Sequence, residues 1–366
     1  MLTISRKPIP PGNRIRVLIV DDSVVIRRLV SHALSEDPAL EVVGAASNGV
    51  IALERISQLN PDVITLDIEM PEMDGLALLR RIEKSRVRPR VVMFSTLTER
   101  GAALTLEALA LGADDYVAKA ANVGSLDRSM ASLRTELIPK IKQSFLMAQD
   151  SRPVKSPVVA RSQRLPDTPA VRAARQPRVL AIGVSTGGPT ALGAIIPQLP
   201  ANFPLPVLIV QHMPPLFTRF LAERLQAGTD LKVEEAAEGT PVKSGRVLIA
   251  PGDYHMRVSR NGGDTVINLD QSPPENSCRP AVDVLFRSVG EVYGGSVVSA
   301  ILTGMGQDGL RGVEVLRANG AYIIAQDEAT SVVWGMPGAV VSAGLANCVV
   351  PLDAVIPEVL RQIGGA

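Results

Sequence analysis

Ser185 stands in Gly183-Val184-Ser185-Thr186-Gly187-Gly188, directly after the apolar run Val179-Leu180-Ala181-Ile182. A strand that ends in a glycine-framed serine and runs into a helix holds one hydroxyl clear of the backbone at the strand's carboxyl end. A substrate carbonyl can reach it there. The same residues also suit a plain strand-to-helix turn with a capping serine, so the chemistry depends on finding a base. The chain has three histidines. His32 falls in the first helical pattern and reads as a helix-face residue, and His255, in Tyr254-His255-Met256, reads as structural. His212, in Gln211-His212-Met213-Pro214 after Leu208-Ile209-Val210, reaches the same sheet edge as Ser185 if the two strands are neighbours. An imidazolium formed there needs an orienting carboxylate. Asp308, in Thr303-Gly304-Met305-Gly306-Gln307-Asp308-Gly309 at the end of another apolar strand, fits that role, with Asp253 and Asp283 as competitors. The chain order Ser185, His212, Asp308 differs from the nucleophile, acid, histidine order of α/β-hydrolases and implies another scaffold.

Gly304, Gly306 and Gly309 also spell G-x-G-x-x-G after a strand and before a helix, with Asp327 about 20 residues on, as a dinucleotide site requires. Against that reading, Asp308 would put a carboxylate inside the loop that should cradle a pyrophosphate.

A second group of reactive side chains lies near the start of the chain. Asp21 and Asp22 follow one β-branched run and Asp67 follows another, so in a parallel sheet all three converge on the carboxyl edge. Such a cluster repels itself unless a hard cation sits in it, and Mg²⁺ suits oxygen ligands. With the metal in place Asp67 can attack a phosphoryl donor. Ser95 and Lys119, each ending a later strand, offer a hydroxyl and an ammonium to the same group.

The elements that must position these residues form two series. Val17–Val20, Val42-Val43, Val63–Leu66, Val91–Phe94 and Tyr116–Ala118 alternate with helix-period segments and predict a parallel sheet covered on both faces, closed by a helix over 125–148. Strand runs resume at 179–182, 207–210, 247–250, 297–302, 322–325 and 348–350, with an antiparallel hairpin expected around Pro251-Gly252-Asp253. The fold class is therefore α/β: a flavodoxin-like (βα)₅ domain, then a mostly parallel, doubly wound α/β domain with a hairpin. Between them, the prolines and arginines of 151–178 read as a solvated linker. The boundaries are an N-terminal extension 1–13, a first domain 14–148, a linker 149–177 and a second domain 178–366.

At 366 residues the chain has length for two cores. A net charge of +1 and 3% aromatic content leave neither a steering field nor stacking platforms for nucleic acid. No apolar run approaches the roughly 20 residues of a membrane span, and the N-terminus lacks a signal-type apolar core, so a cytoplasmic protein without membrane insertion is expected. Cys278 and Cys348 make no disulfide framework and read as ordinary buried or loop thiols.

Residues 14 to 140, with Asp21, Asp22, Asp67, Ser95, Lys119 and the run Leu66-Asp67-Ile68-Glu69-Met70-Pro71-Glu72-Met73-Asp74-Gly75, resemble the receiver domain of two-component response regulators. The resemblance implies that Asp67 is the phosphoacceptor. It also implies that Asp21, Asp22, Asp67 and the Glu69 carbonyl hold Mg²⁺, and that Tyr116 is the switch aromatic. Ala120 departs from the proline that usually follows the lysine. The segments around Ser185, His212, Tyr254-His255-Met256, Thr303 to Gly309 and Trp334-Gly335-Met336-Pro337-Gly338 resemble the catalytic domain of CheB-type chemotaxis protein-glutamate methylesterases. That resemblance implies a triad of Ser185, His212 and Asp308, with backbone oxyanion donors near Met305 and Thr186 and no cofactor for the ester reaction. The implied substrates are glutamyl γ-methyl esters and specific glutamines of methyl-accepting chemotaxis receptors, and the implied phosphodonor is the chemotaxis histidine kinase. A receiver ahead of an esterase further predicts control by docking over the Ser185 edge, relieved by phosphorylation. Two other classes stand beside this one: a phosphorylation-switched binding module with a vestigial triad, and a nicotinamide enzyme using Gly304, Gly306 and Gly309.

Overall fold

A computed structural model of the chain describes residues 13–82, 88–96, 98–119, 130, 133–149, 163–164 and 176–364. The chain divides into two compact units, Met1–Ser156 and Pro157–Ala366. Ala120, residues 1–12 and most of the expected linker lie outside the described residues.

The first unit alternates β1 (Ile15–Val20), α1 (Val24–Ser35), β2 (Leu40–Ala46), α2 (Gly49–Leu59), β3 (Val63–Asp67), α3 (Gly75–Ile82), β4 (Arg90–Thr96), α4 (Glu99–Ala110) and β5 (Asp115–Lys119). Its sheet has the order β2-β1-β3-β4-β5, all parallel. That is the flavodoxin-like order, whose switch point lies between β1 and β3. The helices start where the sequence provides caps: Ser23, Asn48 and Thr98 accept from the backbone N–H of Ile26, Ile51 and Gly101. Of the expected closing helix, the described part is a π-helical turn (Leu133–Leu137) followed by α5 (Ile138–Gln149). Leu133, Leu137, Ile141 and Phe145 are buried in one cluster with Val17, Ile19 and Val117 of the sheet.

The second unit has an eight-stranded sheet, ordered β6-β15-β14-β13-β7-β8-β10-β9. Its strands are β6 (Gln163–Arg164), β7 (Val179–Val184), β8 (Val207–Gln211), β9 (Lys232–Glu235), β10 (Arg246–Ile249), β13 (Val297–Ile301), β14 (Tyr322–Gln326) and β15 (Cys348–Val350). All pairings are parallel except β15 with β6. Gln163–Arg164 thus pairs with the sheet from within the stretch read as a solvated linker. The helices are α6 (Gly188–Ile195), α7 (Phe217–Gln226), α8 (Val282–Tyr293), α9 (Leu310–Ala318), α10 (Gly335–Ser342) and α11 (Val355–Gly364).

The hairpin is present one strand later than expected. β10 runs parallel inside the sheet, and β11 (His255–Asn261) pairs antiparallel with β12 (Asp264–Asp270) across a Gly262-Gly263 turn. Pro251-Gly252-Asp253 instead leads the chain off the sheet. A Cβ on Gly252 would lie 2.3 Å from the backbone of Pro214 and Pro215, so this turn is a close crossing of two chain segments.

Every residue of β7, β8 and β13 is buried. Central parallel strands covered on both faces select such unbroken apolar runs, and each buried Leu, Ile or Val contributes about 1.5–3 kcal/mol. β7 connects through α6 to β8 on one side, while β13 connects through α9 to β14 on the other. The connections diverge between β7 and β13, which opens a crevice at their carboxyl ends.

Candidate functional site

The crevice between β7 and β13 receives the glycine-framed serine. Ser185 follows β7, and three hydrogen bonds pin its backbone: its N–H donates to the Thr303 carbonyl (3.0 Å), and its carbonyl accepts from Gly188 N–H (2.8 Å) and Gln211 Nε2 (3.0 Å). Thr303 and Gly304 face it across the crevice. A Cβ on Gly304 would approach the Ser185 Cβ to 2.9 Å and the Met336 sulfur to 2.4 Å, so only glycine lets the two loops meet. Gly187 has φ +77° and caps α6, which turns the chain away immediately after Ser185 and Thr186.

Val184 pairs with Gln211 in the β7–β8 register, so Ser185 and His212 leave adjacent strands at the same level. His212 Nε2 lies 2.7 Å from Asp308 Oδ2. Asp308 is buried and saturated with donors. Oδ2 also accepts from Val282 N–H (2.6 Å), and Oδ1 accepts from Asp283 N–H (3.1 Å), Gly309 N–H (3.0 Å) and Asn276 Nδ2 (2.9 Å). Val282 and Asp283 open α8, so the helix N-terminus points at this carboxylate. Burial alone would raise the Asp308 carboxyl; the His212 contact and these N–H donors hold it below its ordinary value. Burial likewise works against a charged His212, and the Asp308 carboxylate with the Cys278 sulfur outweighs it, so the imidazole sits well above the ordinary histidine range.

With Nε2 on Asp308, Nδ1 is the ring nitrogen left for a nucleophile. Ser185 stands at the neighbouring strand end, but the group that meets Nδ1 is Cys278 Sγ at 3.4 Å. The reading of Cys278 as an ordinary thiol is therefore corrected. The thiol takes this position because the 273–281 segment folds back over the strand ends.

The competing acids are otherwise engaged. Asp253 pairs with Arg279 and accepts from Gln271 Nε2. Asp283 accepts from Gly312 N–H (2.7 Å) and Asn276 Nδ2 (2.9 Å), and burial together with nearby Asp308 raises its carboxyl. His255 is fully buried; its Nδ1 accepts from Ala281 N–H and its Nε2 donates to the Pro273 carbonyl, a structural pairing. His32 is exposed on α1 beside Glu36. The dinucleotide reading fails locally. The Asp308 carboxylate takes the Gly309 N–H of this loop and pairs with His212, and Asp327 is spent on its own turn, accepting from Thr330 N–H and Oγ1.

In the first unit, Asp21, Asp22 and Asp67 bring carboxylate oxygens within 4.8 Å of one another at the β1/β3 switch point. Lys119 Nζ reaches Asp21 Oδ2 (2.9 Å) and Asp67 Oδ2 (2.8 Å), and Ile68 N–H donates to Asp67 Oδ1 (2.8 Å). Burial pushes the Asp67 carboxyl up to about 6, Lys119 pulls against that, and the Asp21 charge adds to it. Among the described residues, the partner of Asp21 Oδ2 is the Lys119 ammonium. Three converging carboxylates, an oxygen-only donor set, fit a hard divalent cation. Ser95 is buried and donates to the Gly101 carbonyl, Tyr116 is buried in the sheet, and the Glu69 side chain points out to Arg100 (3.1 Å).

Families of known proteins match both units. The response regulator receiver domain family matches residues 17–131, and the CheB methylesterase family matches residues 180–359. A protein-glutamate methylesterase/protein-glutamine glutaminase from Trichodesmium erythraeum is 49% identical over 353 residues, 96% of this chain and 99% of that protein. One from a Nocardioides species is 51% identical over 358 residues, 96% of each chain. The chain belongs to the CheB methylesterase family. Among solved structures, the Thermotoga maritima CheB methylesterase catalytic domain is similar at 44% identity and TM-score 0.50, over 52% of this chain and all of that one. As a CheB-family chain it carries the receiver ahead of the methylesterase domain, and no helix among its described residues is long and apolar enough to cross a membrane.

Proposed function

We propose that this protein is a receiver-controlled serine hydrolase. It cleaves glutamyl γ-methyl esters of methyl-accepting chemotaxis receptors to release methanol, and hydrolyses specific glutamine side chains there to release ammonia. The observation that carries this reading is the His212–Asp308 contact at the β7/β13 switch point, with Ser185 on the adjoining strand end.

Ser185 Oγ attacks the side-chain carbonyl while His212 Nδ1 takes its proton. The imidazolium is held through Nε2 by Asp308 and passes the proton to the departing methanol or ammonia. The negative oxygen of the tetrahedral intermediate meets backbone donors at Met305 and Thr186, each worth roughly 3 kcal/mol. Water then attacks the acyl-enzyme with His212 again as base. Side chains and water suffice, and no cofactor enters.

In the receiver, Asp21, Asp22, Asp67 and the Glu69 carbonyl would hold Mg²⁺, which when bound neutralises charge on transferred phosphoryl oxygens. Asp67 accepts the phosphoryl group from the chemotaxis histidine kinase, Lys119 pairs with its oxygens, and Ser95 and Tyr116 respond to it. The domain boundaries 14–148 and 178–366, joined through 149–177, separate control from chemistry, and the work is done in the cytoplasm, where receptor and kinase domains meet it.

Methanol release from methylated receptor membranes tests the activity, and a fluorophosphonate probe tests the nucleophile. Covalent labelling of Ser185 is expected. An unlabelled Ser185 in an enzyme that releases methanol would remove the nucleophile assignment, and the absence of both would favour a binding module with a vestigial triad.

A further inference from the structure

The segment that brings Cys278 to His212 is built to keep it there. Asn276 and Ser277 have φ of +53° and +63°, and Glu275 and Cys278 exchange both backbone hydrogen bonds (3.1 and 2.9 Å), a tight turn of the I′ type. Four further contacts fasten it. Glu275 makes a two-pronged pair with Arg287, Asn276 Nδ2 bridges Asp283 and Asp308, Arg279 pairs with Asp253, and His255 holds Ala281. Cys278 Sγ, His212 and Asp308 are consequently lined up as nucleophile, base and orienter, at 3.4 Å and 2.7 Å.

We propose that Cys278 is a thiol modification site on the His212–Asp308 pair, and that its oxidation by a hydroperoxide reversibly switches the esterase off. The proposal rests on the triad reading for its consequence, but the thiol chemistry is independent of Ser185. Cys278 gives its proton to His212 Nδ1, and the sulfur attacks one peroxide oxygen. An S–O bond forms as the O–O bond breaks, and the leaving hydroxide takes the proton back to become water. Sulfur loses two electrons, peroxide gains them, and the product is a sulfenic acid. Its hydroxyl sits against Nδ1, the nitrogen that Ser185 needs. A dithiol reductant returns the thiol. Cys278 is half-buried and open to small oxidants, whereas Cys348 is buried, and that burial pushes its thiol up to about 11. Cys348 is therefore the internal control.

One sample of the full-length protein is treated with hydrogen peroxide and dimedone and mapped by mass spectrometry; in a second sample, without dimedone, methanol release is followed before peroxide, after it, and after dithiothreitol. The expected result is a dimedone adduct on Cys278 and not on Cys348. Wild-type release should fall by about ten-fold or more and recover with dithiothreitol. Cys278→Ala and Cys278→Ser should keep most of their own untreated rate. Recovery excludes damage at Met213, Met305 or Met336, because dithiothreitol does not reverse a sulfoxide. Absence of the adduct, or equal inactivation of both Cys278 variants, overturns the proposal. Untreated enzyme whose Ser185 resists the fluorophosphonate would instead overturn the triad reading, while the dimedone adduct still decides the thiol chemistry.

Discussion

Each unit places a buried aspartate at the carboxyl edge of a parallel sheet, and the two are treated in opposite ways. Asp308 accepts from five donors, three of them backbone N–H groups of its own loop and the α8 terminus, and its carboxyl is held low. Asp67 has one backbone donor and a lysine shared with Asp21, beside two further carboxylates, and burial pushes it up to about 6. A saturated carboxylate has no lone pair to spare and can only orient and balance the charge of a neighbour. An under-satisfied one among like charges is prepared to receive charge compensation and a covalent bond from outside. Position in the fold is shared; the number of donors differs, and the proposed roles follow that difference.

Substitutions separate the two roles by size. Ser185→Ala removes the proposed nucleophile beside the saturated carboxylate and is expected to lower kcat for methanol release by about 10⁶-fold. Asp308→Asn keeps the shape but reverses the hydrogen bond to His212, with an expected loss of about 10⁴-fold. Asp67→Ala belongs to the other class: basal release persists, while the rise on adding a small phosphodonor, of the order of 5–150-fold in wild type, disappears. If Asp67→Ala instead abolished basal release, the separation between control and chemistry would be wrong.

The pH dependence sharpens the same contrast. His212 is raised in the folded protein above 6.5, so the stability it brings is fully present below pH 6.5 and is lost as pH rises through its folded value. The protonated imidazole cannot accept the Ser185 proton. The rising limb of the methanol-release profile is expected above pH 6.5, and it should move to lower pH in Cys278→Ala, where one of the two groups favouring the cation is gone. A limb that does not move would detach Cys278 from the imidazole. The smallest effect expected is that of Asn276→Ala, which removes the donor bridging Asp283 and Asp308 and should cost about 1–3 kcal/mol in thermal or denaturant unfolding.

Most of this architecture was legible because central parallel strands are unbroken apolar runs. Val179–Val184 and Val207–Gln211 announce themselves, and the residue after each is then at the edge. β9 was missed since only Val233 of Lys232-Val233-Glu234-Glu235 is buried, an edge strand without an apolar run. The hairpin was expected too early, because Pro251-Gly252-Asp253 has turn chemistry while Gly262-Gly263 makes the turn. Asp308 was nominated from its strand end, but its α8 donors and the Asn276 bridge depend on tertiary packing. Cys278 left no signal: 66 residues separate it from His212, and only the folded-back loop joins them.

The most direct test of the central claim is methanol release from methylated receptor membranes, measured with and without a small phosphodonor on wild type, Asp67→Ala and Ser185→Ala in parallel. The expected result is stimulated release from wild type, unstimulated basal release from Asp67→Ala, and none from Ser185→Ala. Wild-type-like release from Ser185→Ala would contradict the account outright.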